Sequence, residues 1–154
     1  MRSVAILDAS PLVAAADVSD RNHGRSAEVL RRADLAFVIP TLAIAEATYL
    51  IGNRLGPAKE AGFLRELGRF AIEPPVDQEW SAIADLVERY ADLRLGTADA
   101  ATIVLADRLD TDLIVTLDRR HFGAIRSPRG RHFRLLPEGL AVHEEPATYE
   151  PASG

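Results

Sequence analysis

The chain alternates between short unbroken apolar runs and longer stretches with helical periodicity, and this alternation restricts its fold more than any other feature. The runs are Val4 to Leu7, Leu35 to Ile39, Phe70 to Ile72 and Leu113 to Thr116, with Phe133 to Leu136, interrupted by Arg134, as a possible fifth strand. Between them the pattern predicts a short helix through Ala15 with Ser10 as its N-cap and Pro11 at N1, and a helix from His23 to Arg32. Further helices are expected over Thr41 to Leu55, from the Gly56-Pro57 break to Leu67, over Gln78 to Leu93, and from Gly96-Thr97 to Leu109. Strands that alternate with helices form right-handed βαβ units, so a parallel sheet covered on both faces is expected. The fold class is therefore α/β, a three-layer α/β/α sandwich around a central parallel sheet. Residues 1–140 make one domain, and the acidic, Pro-containing stretch 141–154 reads as a flexible tail.

In open sheets of this kind the active site lies beyond the carboxyl ends of the strands. Acids stand where that rule looks for them. Asp8 follows the first apolar run directly, and Asp118 stands just past the fourth. Asp8 reads as functional because Ser10 fills the capping role and an acid closing a buried strand needs a partner. Asp118 reads either as a site residue or as an ordinary turn aspartate. Glu46 has Leu42, Tyr49 and Leu50 at i−4, i+3 and i+4, which places it on an apolar helix face. Asp99 falls in the first turn of a helix, where the dipole alone favours an acid by roughly 0.3–1 kcal/mol. Spacing leaves its two readings evenly matched. Ser10 and Thr116 are candidate supporting residues, and Arg119 and Arg120 candidate contacts to a substrate phosphate.

Composition narrows the chemistry. Cysteine is absent, which excludes a disulfide framework and a thiolate zinc site. His23 and His121 are isolated in sequence and read as surface histidines; Asp17, Asp20, Asp92, Asp107, Asp110 and Asp112 read as solvated loop or helix-end acids. No apolar run is long enough to span a membrane, and the protein is expected in the cytoplasm. A net charge of −5 argues against a nucleic-acid-coating protein, but not against a metal nuclease whose carboxylates await a cation. Hard oxygen ligands in a loose cluster suit Mg²⁺, with Mn²⁺ able to substitute.

The strand-Asp8-Ala9-Ser10 start, Ala45-Glu46, Leu95-Gly96-Thr97-Ala98-Asp99-Ala100 and Thr116-Leu117-Asp118-Arg119-Arg120-His121-Phe122 together resemble PIN-domain ribonucleases, within them the VapC-type toxins of type II toxin–antitoxin systems. The likeness runs from about Val4 to Leu136. It implies a metal-dependent endoribonuclease that cuts structured RNA, tRNA or rRNA, with Asp8, Glu46, Asp99 and Asp118 as catalytic metal ligands. It further implies a homodimer silenced by a cognate antitoxin, and the surface around Leu12, Val13, Leu42 and Leu50 would suit a partner helix if it is not core. Rival readings are a catalytically weak PIN-like interaction module, an RNA-processing nuclease outside any toxin–antitoxin pair, and a phosphoryl-transfer enzyme with Asp8 as nucleophile. The last is disfavoured because Ser10 stands where a second acid is needed and Lys59, the sole lysine, lies in a helix.

Overall fold

The structure, a computed structural model, describes residues 1–138. The expected boundary at residue 140 and the acidic tail lie outside the described residues. The chain begins in the middle of its own sheet. Strand β1 (Ser3–Leu7) leads into α1 (Ala9–Ala16) and α2 (His23–Leu30), then β2 (Leu35–Pro40), α3 (Thr41–Leu55), α4 (Pro57–Glu66) and β3 (Ala71–Glu73) build outward on one side. Helices α5 (Glu79–Arg89) and α6 (Thr97–Arg108) carry the chain back to β4 (Leu113–Val115), α7 (Arg119–Ala124) and β5 (Arg134–Leu136) on the other side. All five strands are parallel in the order β3-β2-β1-β4-β5. This is the expected three-layer sandwich, and the direction of winding reverses between β1 and β4. A crevice opens above the carboxyl ends at such a point.

Alternate residues of each central strand feed opposite layers. Ala5, Leu7, Ile39, Leu113 and Val115 pack against Leu12, Val13, Val29, Ala43, Ala47 and Ile51 of α1, α2 and α3. Ile6 and Val38 turn the other way, onto Leu105 and Ala106, and Ile114 onto the layer holding Ile83, Leu86, Ile103 and Phe122. Helix α6 is buried at every residue from Ala100 to Asp107. A helix apolar all round has to be enclosed, and α6 is, between the sheet, α5 and α3. Gly56, at φ +85, lets the chain turn between α3 and the Pro57 that starts α4.

The expected element order holds, with differences at the joints. Ala9 is already helical, so Asp8 and not Ser10 occupies the N-cap position of α1, without a side-chain capping bond. The helix expected over residues 78–93 stops at Arg89 and resumes as a single 3-10 turn, Ala91–Leu93. Arg94 follows in the left-handed region (φ 53), which turns the chain so that Leu95 enters the core ahead of α6. Helix α7 was not expected; six residues are too few to show a period. Among the described residues no helix is long and apolar enough to cross a membrane.

Candidate metal centre

Asp8 is held at the end of β1 because its N–H donates to the Val115 carbonyl of β4 (3.0 Å), continuing the ladder by one residue. Its side chain is only 4% exposed. One oxygen, Oδ2, accepts from the Thr116 hydroxyl at 2.8 Å and from the Ser10 hydroxyl at 3.3 Å. These hydroxyls also accept, Ser10 Oγ from the Leu117 N–H and Thr116 Oγ1 from the Asp118 N–H, both at 3.0 Å. Ser10 and Thr116 thus tie Asp8 to the loop that follows β4. The other oxygen, Oδ1, is buried and meets no hydrogen-bond donor. Burial, reinforced by the negative charge of Asp99, pushes the Asp8 carboxyl up to about 6, against the opposing influence of the Thr116 hydroxyl, the Ala9 backbone N–H and the Ser10 hydroxyl.

Two other elements bring acids to this point. Glu46 comes from α3 and Asp99 from the first turn of α6, and the two helices pack against each other. One carboxylate oxygen from each of Asp8, Glu46 and Asp99 can be chosen so that all lie within 4.8 Å of one another. Asp99 is raised above the ordinary aspartate range chiefly by burial; the His121 ring opposes this, and Glu46 and Asp118 add to it. An acid placed there only for the helix dipole would be lowered. Glu46 is likewise raised, by desolvation first and then by Asp8 and Asp118. Its placement corrects the expectation of an apolar face: the buried stripe of α3 is Ala43, Ala47 and Ile51, and Glu46 stands exposed at the mouth of the crevice beside the exposed Tyr49. Three withdrawn carboxylates with an unmatched buried oxygen among them fit a hard dication, which would supply the missing partner.

Asp118 stands beside this trio and is not a member of it. It is the N-cap of α7, and its Oδ1 accepts the His121 N–H at 3.0 Å. Its Oδ2 lies 2.9 Å from His121 Nδ1, and Asp99 Oδ2 lies 3.4 Å from the same nitrogen. Neither oxygen is aligned for a hydrogen bond to the ring. His121 Nε2 lies 2.8 Å from the Leu93 carbonyl, which can only accept, so that nitrogen carries the hydrogen. The reading of His121 as a surface residue is therefore wrong: it is buried between the acids and the 3-10 turn. Its own cap spacing, Asp118 at i−3, was the signal in the sequence.

The two arginines of α7 part company. Arg119 donates to the Leu135 carbonyl within β5 and the Pro137 carbonyl just beyond it, which ties its guanidinium to the sheet edge instead of leaving it to a phosphate. Arg120 is exposed. Asp107, expected to be solvated, is buried in α6, where it accepts the Arg129 N–H at 3.3 Å and faces Arg131 Nε at 3.7 Å. His23 Nδ1 contacts the Ala14 carbonyl at 2.9 Å and lies away from the acids. Of the residues expected on a partner surface, Leu12 and Val13 are core, and Leu42 and Leu50 are half-buried. The apolar groove of about 680 Å³ runs instead between α1, α2 and α4, past Leu12, Leu30, Phe63, Leu67 and Phe70.

With strand-end acid, crevice and acidic trio in place, the whole chain can be compared with known proteins. The PIN domain profile matches residues 5–126. The chain belongs to the PIN domain family. Over 134 residues it is 39% identical to ribonuclease VapC26 of Mycobacterium tuberculosis, covering 86% of this chain and 99% of the relative. Its fold matches that of VapC20 of Mycobacterium tuberculosis, described as a Sarcin-Ricin loop cleaving toxin, with a TM-score of 0.66 at 14% identity over 73% of this chain and 87% of the other. It also matches VapBC2 of Rickettsia felis, solved on a fragment of promoter DNA, with a TM-score of 0.61 at 18% identity over 86% of this chain and 97% of the other. The PIN sandwich was thus legible from the four acid-bearing segments before any comparison.

Proposed function

We propose that this PIN domain protein is a divalent-metal-dependent endoribonuclease, the toxin of a toxin–antitoxin pair, that hydrolyses phosphodiester bonds in structured RNA. The observation that carries the reading is the trio Asp8, Glu46 and Asp99, with one carboxylate oxygen of each within 4.8 Å of the others and Oδ1 of Asp8 buried without a hydrogen-bond partner. Kinship to a VapC ribonuclease supports RNA as the substrate class, and the VapBC neighbour supports a cognate antitoxin as partner. Ribosomal RNA is one candidate target, in line with the sarcin–ricin loop cut by VapC20. Action in the cytoplasm and assembly as a homodimer belong to the same reading.

Asp8, Glu46 and Asp99 would hold Mg²⁺ or Mn²⁺. When bound, the ion neutralises phosphate charge and acidifies a water at the scissile bond. The protein's own part is positional. Ser10 and Thr116 fix Oδ2 of Asp8, which leaves Oδ1 without a partner. Glu46, exposed at the mouth, is the acid that solvent and substrate reach first. Asp118 and His121 stand beside the trio, and Arg120, between them in sequence, is exposed, where a guanidinium suits a backbone phosphate. Splayed single-stranded or loop nucleotides fit such an open site better than a stacked helix does.

The test is cleavage of total RNA and of intact ribosomes by purified protein, with Mn²⁺, with Mg²⁺ and with chelator, beside Asp8→Asn, Glu46→Gln and Asp99→Asn. Discrete fragments that need the metal and vanish in all three variants are expected. Cleavage that survives the substitutions, or proceeds in chelator, would refute the assignment.

A further inference from the structure

We infer that the Tyr49 ring is a stacking platform for a nucleobase of the RNA beside the scissile phosphate, and so helps to choose where the RNA is cut. The inference rests on the reading of Asp8, Glu46 and Asp99 as the metal centre of a ribonuclease. Tyr49 is 69% exposed, and the aromatic rings in contact among the described residues are Phe37 and Phe70, so Tyr49 has no aromatic neighbour. It follows Glu46 by three residues on α3, and Cβ atoms at that spacing on a helix are roughly 5–6 Å apart. A long helical side chain leans toward the N-terminus, over the residues at i−3 and i−4. Here those are Glu46 and Ala45, both exposed, so the face of α3 that carries the ring also carries a member of the acidic trio.

Position separates Tyr49 from the other exposed large apolar side chains. Leu64 belongs to α4, Ile72 to β3 and Trp80 to α5; among the described residues Tyr49 alone of this group stands on a helix that supplies an acid to the trio. A nucleobase is joined to its phosphate through one ribose, so a phosphate at the acids brings a base within reach of a ring one helical turn away. Every base has a π face, and an aromatic side chain stacks on it whatever the base. A protein partner seated on the ring would also cover Glu46, the acid that substrate has to reach, and this favours a nucleobase as the occupant. Tyr49 touches no reacting atom on this account; it is a positioning residue.

Steady-state cleavage by the full chain in Mg²⁺, of total RNA or intact ribosomes and read at one mapped site, tests this with four substitutions. Tyr49→Phe and Tyr49→Trp keep a π face and are expected to hold kcat/KM within about threefold of wild type. Tyr49→Leu and Tyr49→Ala are expected to lower it roughly ten- to hundredfold, the loss that removing one stacking platform gives. Mn²⁺ affinity in calorimetry and the sedimentation coefficient should stay at their wild-type values in all four. Combined with Trp80→Phe, Tyr49→Trp provides the sole tryptophan of the chain, and total RNA should quench its emission. Wild-type rates in Tyr49→Ala, a Tyr49→Leu as active as Tyr49→Phe, or emission unmoved by RNA would overturn the inference and leave the ribonuclease standing. Altered sedimentation of Tyr49→Ala would overturn it also, by assigning the ring to a contact between copies. No cleavage by wild type would remove the ribonuclease reading itself, and the inference with it.

Discussion

Replacing Asp8 by Asn should stabilise the metal-free protein while destroying its activity, and the size of the effect follows from the burial of one carboxyl. The Asp8 carboxyl moves from 3.8 to about 6 on folding. At about 1.4 kcal/mol for each pH unit, that displacement means the ionised side chain costs the native state on the order of 3 kcal/mol near neutral pH. Asp8 is 4% exposed, so solvent screening removes little of it. Asn keeps the shape and an oxygen for the Thr116 hydroxyl, and its NH₂ would face the carboxylates of Glu46 and Asp99 in place of a repelling oxygen. After repacking losses, a net gain of about 2 kcal/mol corresponds to roughly 4–8 °C for a chain of this size. The sign with pH is the reverse of a salt-bridged aspartate. Because the native carboxyl holds its proton to about pH 6 while the unfolded one releases it near 3.8, wild-type stability falls as pH rises through that window. Urea unfolding in chelator should therefore show Asp8→Asn ahead of wild type at pH 7.5 and level with it near pH 4. Adding Mn²⁺ at about a hundred times its Kd should raise wild type alone, by about 2.7 kcal/mol. An Asn variant less stable than wild type at pH 7.5, or a gap that does not change with pH, would refute the account.

Other side chains separate stability from chemistry. Thr116→Val removes a buried hydroxyl that donates to Asp8 and accepts from Asp118, and should cost about 1–3 kcal/mol in urea unfolding together with most of the cleavage; Thr116→Ser should restore both. Arg119→Ala should lower stability by about 1–2 kcal/mol through the lost carbonyl contacts of Leu135 and Pro137, with RNA affinity unchanged in a filter-binding assay. Arg120→Ala should do the opposite, leaving stability alone and reducing the slope of log affinity against log salt by about 0.7–0.9. Asp107→Ala should cost about 1–3 kcal/mol by freeing the Arg129 N–H and Arg131, without altering Mn²⁺ affinity, which would mark it as a structural acid.

The parts of the molecule legible in the sequence are those set by local chemistry. Helix α3 was read with its true ends because Pro40 closes the strand before it and Gly56-Pro57 stops it. Asp8 was legible because an acid directly after a four-residue apolar run can hardly be solvated. What escaped depends on contacts between distant segments. His121 meets Leu93, Asp99 and Asp118, and only the last is near it in sequence. Asp107 looks like a solvated helix-end acid until the loop at Arg129 and Arg131 folds over it. The face of Glu46 was misjudged because α3 touches both the sheet and α6, so its buried stripe is the narrow row of Ala43, Ala47 and Ile51 rather than the leucines on either side.

That dependence on distant contacts also explains why the acidic trio cannot relax. Desolvation is the leading cause of the upward shift at Asp8, at Glu46 and at Asp99, ahead of their mutual repulsion. Each acid is withdrawn from water by a different element, so no single loop can swing away and relieve all three. Asp99 is pinned because α6 is buried from Ala100 to Asp107; Asp8 is pinned by the β4 ladder and two hydroxyls; Glu46 is carried in by the packing of α3 on α6. Moving Asp8 or Asp99 out to solvent would open part of the core. The apolar packing that stabilises the sandwich is thus what holds the acids together, and without unfolding the domain their energy would be lowered either by protonation, as at Asp8 below about pH 6, or by a bound cation.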